Sequence, residues 1–526
     1  MRDFELPGRS VAYGECGMAA TSHPAATLAA LDVLRARGNA LDAAIAAVAV
    51  QCVVEPAMTG IGGDGFALLA RPGGPVVALN GSGRAPAAAS VERLRAAGLD
   101  AVSGAHTVTV PGAIDAWARL LEAHGTKGLD ELLRPAIRHA EDGFVVTPRV
   151  AWDWARAADT LRASEAGVRC YLPDGRAPVA GQRIRLPALA ATLKRIARDG
   201  RDAFYRGELA AQMAAFLRDQ GGLHTAADFA AAAGEYVDPI RTTYRGLEVY
   251  ECPPNGQGIV ALLMLNILES FDLAGMAPGS AAWLHLEAEA TRLAYRDRDA
   301  HLADPAQAEV PIGHLLDKGY ARELARLIDP ERAMASMSPP LLTEHPDTVY
   351  LTVVDRDRLV VSFINSVFDS FGSGLVCPKT GVLFHNRGKS FRLEPEHPNA
   401  IAPGKRPLHT IIPALAVQDG RPTIGFGVMG GHYQPVGHVH VLAGLLDFGL
   451  DPQAAIDAPR AFAQGGELQV EHGVPEGSVE ALARLGHRVV PSGRPLGGGQ
   501  MIVVDHARGV LIGGSDPRKD GLALGY

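Results

Sequence analysis

The run Ala40-Leu-Asp-Ala-Ala-Ile-Ala-Ala-Val-Ala-Val-Gln-Cys52 is apolar almost all the way round at helical spacing. A helix of that kind has no face to offer water, so other elements must cover it on every side, which requires a layered fold. Asn39 is placed to cap it. Just upstream, Ala25, Leu28, Leu31, Val33 and Leu34 repeat at helical spacing, with Ser22 as the expected cap and Gly38 as the expected stop. Further helices are expected at 186–197, 209–220, 259–268 and 281–297, which makes the first two-thirds of the chain helix-rich.

The pattern breaks at 334–347, where Ser336, Ser338, Pro339, Pro340, Thr343 and Pro346 interrupt any periodicity, and an exposed loop is expected. Immediately after it, Thr348-Val-Tyr-Leu-Thr-Val-Val and Leu359-Val-Val-Ser-Phe-Ile are β-branched runs joined by Asp355-Arg-Asp-Arg, the pattern of a hairpin. More strands are expected at 410–418, 423–428, 501–505 and 510–513.

With 526 residues, of which 47% are hydrophobic and 21% charged, the chain can bury a large core. A net charge of -8 without a basic run offers no footprint for nucleic acid or an anionic membrane, so a small-molecule substrate is favoured. No run reaches the roughly 18 apolar residues of a spanning helix, and the start, Met1-Arg-Asp-Phe-Glu-Leu-Pro, lacks the pattern of a signal peptide. A cytoplasmic location is expected. Cys16, Cys52, Cys170, Cys252 and Cys377 are odd in number and widely spaced, which favours buried free thiols over disulfides or a zinc motif.

Gly60-Ile-Gly-Gly-Asp-Gly65 spells the dinucleotide-binding glycine pattern, but a helix precedes it and a strand follows, the reverse of what that motif needs. A tight backbone turn in the core or in a site wall is expected instead. Gly404-Lys-Arg406 lacks the spacing of a phosphate-binding loop. His438 and His440, read as alternate residues of a strand, with His432 and His409 nearby, raise the possibility of a metal site. No acidic residue lies near enough in sequence to complete the set, so structural or substrate-binding histidines are expected, without a metal.

Thr348 is a hydroxyl that opens a strand directly after a proline-rich loop. Threonine often begins strands, so the position alone says little. The segments around it say more: Pro56-Ala-Met-Thr-Gly-Ile-Gly-Gly-Asp-Gly-Phe66, Thr348-Val-Tyr-Leu-Thr-Val-Val-Asp355, Phe371-Gly-Ser-Gly374, Pro403-Gly-Lys-Arg-Pro-Leu408, Met429-Gly-Gly431 and Ser515-Asp-Pro-Arg518. In these segments and their order the chain resembles the gamma-glutamyltranspeptidase family of N-terminal-nucleophile hydrolases.

The resemblance implies an α+β fold, a four-layer αββα sandwich, made as a precursor that cuts itself between Asp347 and Thr348. Residues 1–347 would form a large subunit and 348–526 a small one, a heterodimer that could pair again. Thr348 would be the nucleophile, with its freed α-amino group as base. Ser366 falls where the family has a second threonine that holds the nucleophile, and Gly430 and Gly431 fall on its oxyanion glycines. This chemistry requires no cofactor.

The glutamyl-recognition half of the pattern departs from the family. In Phe384-His-Asn-Arg-Gly-Lys-Ser-Phe391 a glutamine and an aspartate are replaced by Arg387 and Ser390, so a group that attracts carboxylates stands where the family binds an ammonium. An asparagine position falls on Phe368, and a serine pair on His409-Thr410. The family's carboxylate-binding arginine falls on Ser82, with Arg84 two residues on. Oxamate amidohydrolases are the members this pattern most resembles. Arg387, with Arg84 or His409, would hold the carboxylate of a small amide while Thr348 releases ammonia. The alternatives are a γ-glutamyl transferase or hydrolase acting on glutathione-like donors, or a binding protein that never matures. For Arg387 the competing reading is a structural salt bridge.

Overall fold

The computed structural model describes Glu5, residues 8–334 and residues 348–526. Of the loop expected at 334–347, residues 335–347, Asp347 included, lie outside the described residues. Helix Ala40–Val54 is buried at every position, and Asn39 caps it in a reciprocal box with Asp42. The preceding helix, Pro24–Arg35, is capped by the ring of His23 and not by Ser22, whose hydroxyl donates to Glu55 at 2.7 Å. It ends at Ala36, and Arg37, not Gly38, takes the left-handed conformation with φ 66°.

Two seven-stranded sheets form the centre of the molecule. In one the order is Leu522–Gly525, Met18–Thr21, Val349–Val354, Val360–Ser366, Asp64–Ala70, Val77–Gly81 and Glu235–Val237. In the other it is Ala12–Gly14, Val510–Ser515, Gly498–Asp505, Arg421–Met429, Ala414–Gln418, Leu247–Glu251 and Ile240–Tyr244. Strands from both sides of residue 347 therefore interleave in each sheet.

Alternation along the strands sorts the core into layers. Val349, Leu351, Val353, Val361 and Phe363 face helix Ala40–Val54 and its neighbours. Tyr350, Val354, Val360 and Ile364 face the other way and meet Leu415, Met429, Ile502 and Val504 of the second sheet. The far side of that sheet, with Ala414, Ile424, Phe426 and Met501, packs on helices Gly258–Leu268, Ala281–His301 and Gln434–Leu446. The result is the αββα sandwich of an α+β fold.

The expected helices are found at Pro187–Asp199, Gly207–Asp219, Gly258–Leu268 and Ala281–His301. The strand expected from 410 begins only at Ala414. Pro413 has no N–H for a ladder, and the backbone before it bonds to side chains: Thr410 O accepts from Gln257, and Ile412 N donates to Gln434. The strand expected around His438 and His440 is a helix, Gln434–Leu446. Two positions apart on a helix point to opposite sides, and the rings accordingly pair with Glu251 at 2.7 Å and Glu287 at 2.9 Å. All five cysteines are free, but Cys16 is exposed and Cys170 is only partly covered. Among the described residues no helix is long and apolar enough to cross a membrane.

Candidate active site

Strand register brings three distant polar residues into one row. Val349 pairs with Asn365, and one step further in that register Thr348 stands opposite Ser366. Ser366 in turn pairs with Asp64 on the next strand. The three share the inward face because they lie in phase with Tyr350, Ile364 and Phe66. Thr348 Oγ1 donates to Ser366 Oγ at 3.2 Å, and Gln434 Nε2 approaches Thr348 Oγ1 at 3.5 Å. Thr348 and Ser366 are each 1% exposed. Gly63, inside the glycine motif, lets the backbone press against this row: a Cβ there would lie 2.3 Å from Ser366 O.

Asp64 is the anionic hub. One oxygen accepts from the backbone N–H groups of Gly83 at 3.0 Å and Gly112 at 3.1 Å, and the other accepts from His409 Nε2 at 3.0 Å. His409 Nδ1 accepts from Ile411 N, so Nε2 carries the proton. Burial, then the nearby Arg387, holds its pKa at about 3, and the ring is neutral. His385 is also buried; its Nε2 donates to Thr109 O at 2.9 Å and its Nδ1 accepts from Arg387 N at 3.2 Å. Burial alone would raise the Asp64 pKa, but His385, His409 and Arg387 outweigh it and bring it to about 2.

Arg387 begins a short 3-10 turn, Arg387–Ser390, and is fully buried. Its NH1 donates to Thr410 Oγ1 at 2.8 Å and its NH2 reaches Ser366 Oγ at 3.5 Å. The guanidinium carbon lies 4.1 Å from the ring centroid of Phe368. Phe368 is held beneath it with φ 79°, its N–H donating to Ser366 Oγ at 2.8 Å. Nε has no partner. Among the described residues no carboxylate lies within ion-pairing distance of Arg387. Desolvation pushes its pKa downward against the pull of Asp64 and Asp369. A buried cation without a counterion is costly, and an arriving carboxylate would offset that cost.

Gly430 follows strand Arg421–Met429 with φ 126°, and a Cβ there would lie 2.8 Å from Gly497 Cα, so glycine is required. Gln257 Nε2 ties this turn to the arginine by donating to Gly431 O and Thr410 O, both at 2.9 Å. Gly430 also borders a cavity of about 460 Å³ that reaches Asp369, Asn386, Trp152, Arg156 and Arg494.

Thr348, Ser366, Arg387, Thr410 and Gly431 are thus joined by one chain of hydrogen bonds. His409 lies beside them but is committed to Asp64. Ser390 Oγ is buried without a partner among the described residues and lines a separate small pocket with Arg298 and His432. Arg84 is engaged elsewhere, with Glu235 at 2.6 Å, Gly404 O at 3.0 Å and Asp304 at 3.6 Å. No local sequence pattern marks Asp64, His385, Gln257 or Gln434 as a site residue. Asp64 was within view, as the one acidic residue of the glycine motif.

Among the described residues one group has metal-ligand geometry, His285, Glu289 and His487. Its atoms already bond one another and their neighbours: His285 Nδ1 faces His487 Nε2 at 2.7 Å, and Glu289 pairs with Arg292 at 2.6 Å.

The gamma-glutamyltranspeptidase family model matches residues 26–526. The chain is 37% identical over 518 residues to the glutathione hydrolase-like YwrD proenzyme of Bacillus subtilis (strain 168), covering 97% of this chain and 98% of that one. It is 36% identical over 526 residues to the oxamate amidohydrolase proenzyme of Klebsiella pneumoniae subsp. pneumoniae, covering 97% and 98%. Cephalosporin acylase from Bacillus halodurans superposes with a TM-score of 0.93 at 41% identity, over 100% of this chain and 99% of that one. The family model and the relatives show that this chain is an amide-bond hydrolase and belongs to the gamma-glutamyltranspeptidase family.

Proposed function

We propose that the chain cuts itself between Asp347 and Thr348, and that the new terminal Thr348 hydrolyses a small amide whose acyl part carries a carboxylate, as oxamate does. Fragments 1–347 and 348–526 remain together, because their strands interleave in both sheets. The observation that carries the substrate reading is Arg387, a buried guanidinium that among the described residues has a free Nε and no ion pair, one hydrogen-bonded step from Ser366.

In this reading Arg387 and Thr410 hold the substrate carboxylate. The α-amino group of Thr348, with an ordinary pKa of about 8, takes the Oγ1 proton as the oxygen attacks the amide carbonyl. Ser366 keeps the hydroxyl aimed. The backbone N–H groups of Gly430 and Gly431 face the developing oxyanion. The amide C–N bond breaks, the proton passes to the departing nitrogen, and water then hydrolyses the threonine ester.

A second reading, transfer or hydrolysis of a γ-glutamyl group, is supported by the likeness to a glutathione hydrolase-like proenzyme. It requires an anion for the donor's ammonium, and the nearby Asp369 is already paired with Lys389 at 3.0 Å. Steady-state assays of the processed protein with oxamate and with a γ-glutamyl anilide separate the two. Release of ammonia from oxamate is expected. Efficient turnover of the anilide with oxamate untouched would overturn the carboxylate-amide reading.

A further inference from the structure

Helix Pro148–Arg156 carries Arg149, Trp152, Asp153 and Arg156 at spacings of three, four and seven, which puts them on one face. That face lines the cavity of about 460 Å³ bordered by Gly430. The volume lies within the range of about 300–1,000 Å³ typical of sites for organic ligands. A substrate that releases only ammonia would leave most of it unfilled.

The charges on this helix face, two arginines and one aspartate, do not balance. Arg149 is paired with Asp153 at 2.8 Å, and Asp369 is held by Lys389 at 3.0 Å and Asn386 at 2.7 Å. Arg156 has no ion-pair partner among the described residues. Its guanidinium instead lies 4.7 Å from the ring centroid of Trp152, and that of Arg149 lies 4.8 Å from it. The indole, 38% exposed, thus holds an unpaired cation at the rim.

We propose that this cavity is the subsite for the leaving amine, and that it selects amines bearing a carboxylate, which Arg156 binds beside the Trp152 ring. The inference rests on the reading that Gly430 and Gly431 face the scissile carbonyl. Arg387 closes the acyl side, where it is fully buried, whereas the rim formed by Trp152 and Arg156 is open to solvent. The departing amine must leave by the open side, and the hydrolytic water must enter there. The acyl group passes to Thr348 Oγ1 as the C–N bond breaks, and the amine leaves carrying the hydroxyl proton.

The test is equilibrium binding of two product-like amines, 4-aminobenzoate and aniline, to the processed protein by calorimetry. The wild type is expected to bind 4-aminobenzoate at least about tenfold tighter than aniline, the scale of one charge-assisted hydrogen bond. Arg156→Ala should collapse that preference, and Arg156→Lys should restore part of it. Equal or undetectable binding of both amines by the wild type, or a preference unchanged in Arg156→Ala, would overturn the proposal. Binding needs no turnover, so a protein that hydrolyses no carboxylate-bearing amide but keeps the Arg156-dependent preference would refute the proposed reaction and leave the subsite standing.

Discussion

Thr348 Oγ1 donates to Ser366 Oγ at 3.2 Å across two strands whose register sets them face to face. Ser366 Oγ also accepts from Phe368 N at 2.8 Å, so the hydroxyl that meets Thr348 is itself fixed by the backbone beside it.

Self-cleavage should therefore depend on both residues. Intact mass under denaturing conditions is expected to show wild-type fragments 1–347 and 348–526, and an uncut chain for Thr348→Ala. Ser366→Ala should slow cutting by about tenfold, the worth of one hydrogen bond, and Ser366→Thr should preserve it. A wild-type chain that stays whole through long incubation would count against the nucleophile assignment.

Arg387→Ala should raise KM for carboxylate-bearing amides by about ten- to a hundredfold, the range of a charged hydrogen bond. Arg387→Lys keeps the charge but loses the fork and should recover only part of that. Because NH2 also reaches Ser366 Oγ, a smaller fall in kcat is expected. An Arg387→Ala enzyme with an unchanged KM would make the arginine structural.

Gly430→Ala should lower kcat by about a hundredfold or more, the scale of a lost oxyanion donor. Its φ of 126° and the 2.8 Å approach of a Cβ to Gly497 Cα leave no room for alanine without moving the turn. Single-turnover kinetics on material that has already been processed would read this directly. A kcat within twofold of wild type would remove the turn from the mechanism.

Acid should destabilise the fold through its buried histidines. Burial holds the pKa of His23 and His224 at about 4, and of His409, His438 and His487 at about 3, against 6.5 for an exposed ring. Below pH 6.5 the unfolded chain takes up protons that the folded chain refuses until pH reaches about 4 or 3. The histidines' contribution to stability is therefore full above 6.5 and is lost as pH falls through that window. The thermal midpoint, followed from pH 7 downward, should drop steadily; a flat profile to about pH 4.5 would contradict neutral buried rings.

The sequence by itself determined the layers and the strand that follows Thr348. A helix apolar on every side, as at Ala40–Val54, has to be covered, and β-branched runs that begin at Thr348 have to be strands; both follow from local periodicity and solvent exposure. The ordered segments from Pro56 to Arg518 pointed to the family without any coordinates. Local pattern failed where several structures share it: His438 and His440 alternate like strand residues but lie on a helix. It also missed what bonds across distance. His409 meets Asp64 over 345 positions of chain, and Gln257 meets Gly431 over 174. Only the packing of distant segments decides such pairs, and it committed His409 to Asp64 and Arg84 to Glu235 while leaving Arg387 without a carboxylate among the described residues. A side chain's type says which bonds it can make; the packing of the two sheets decides which of them are left for a substrate.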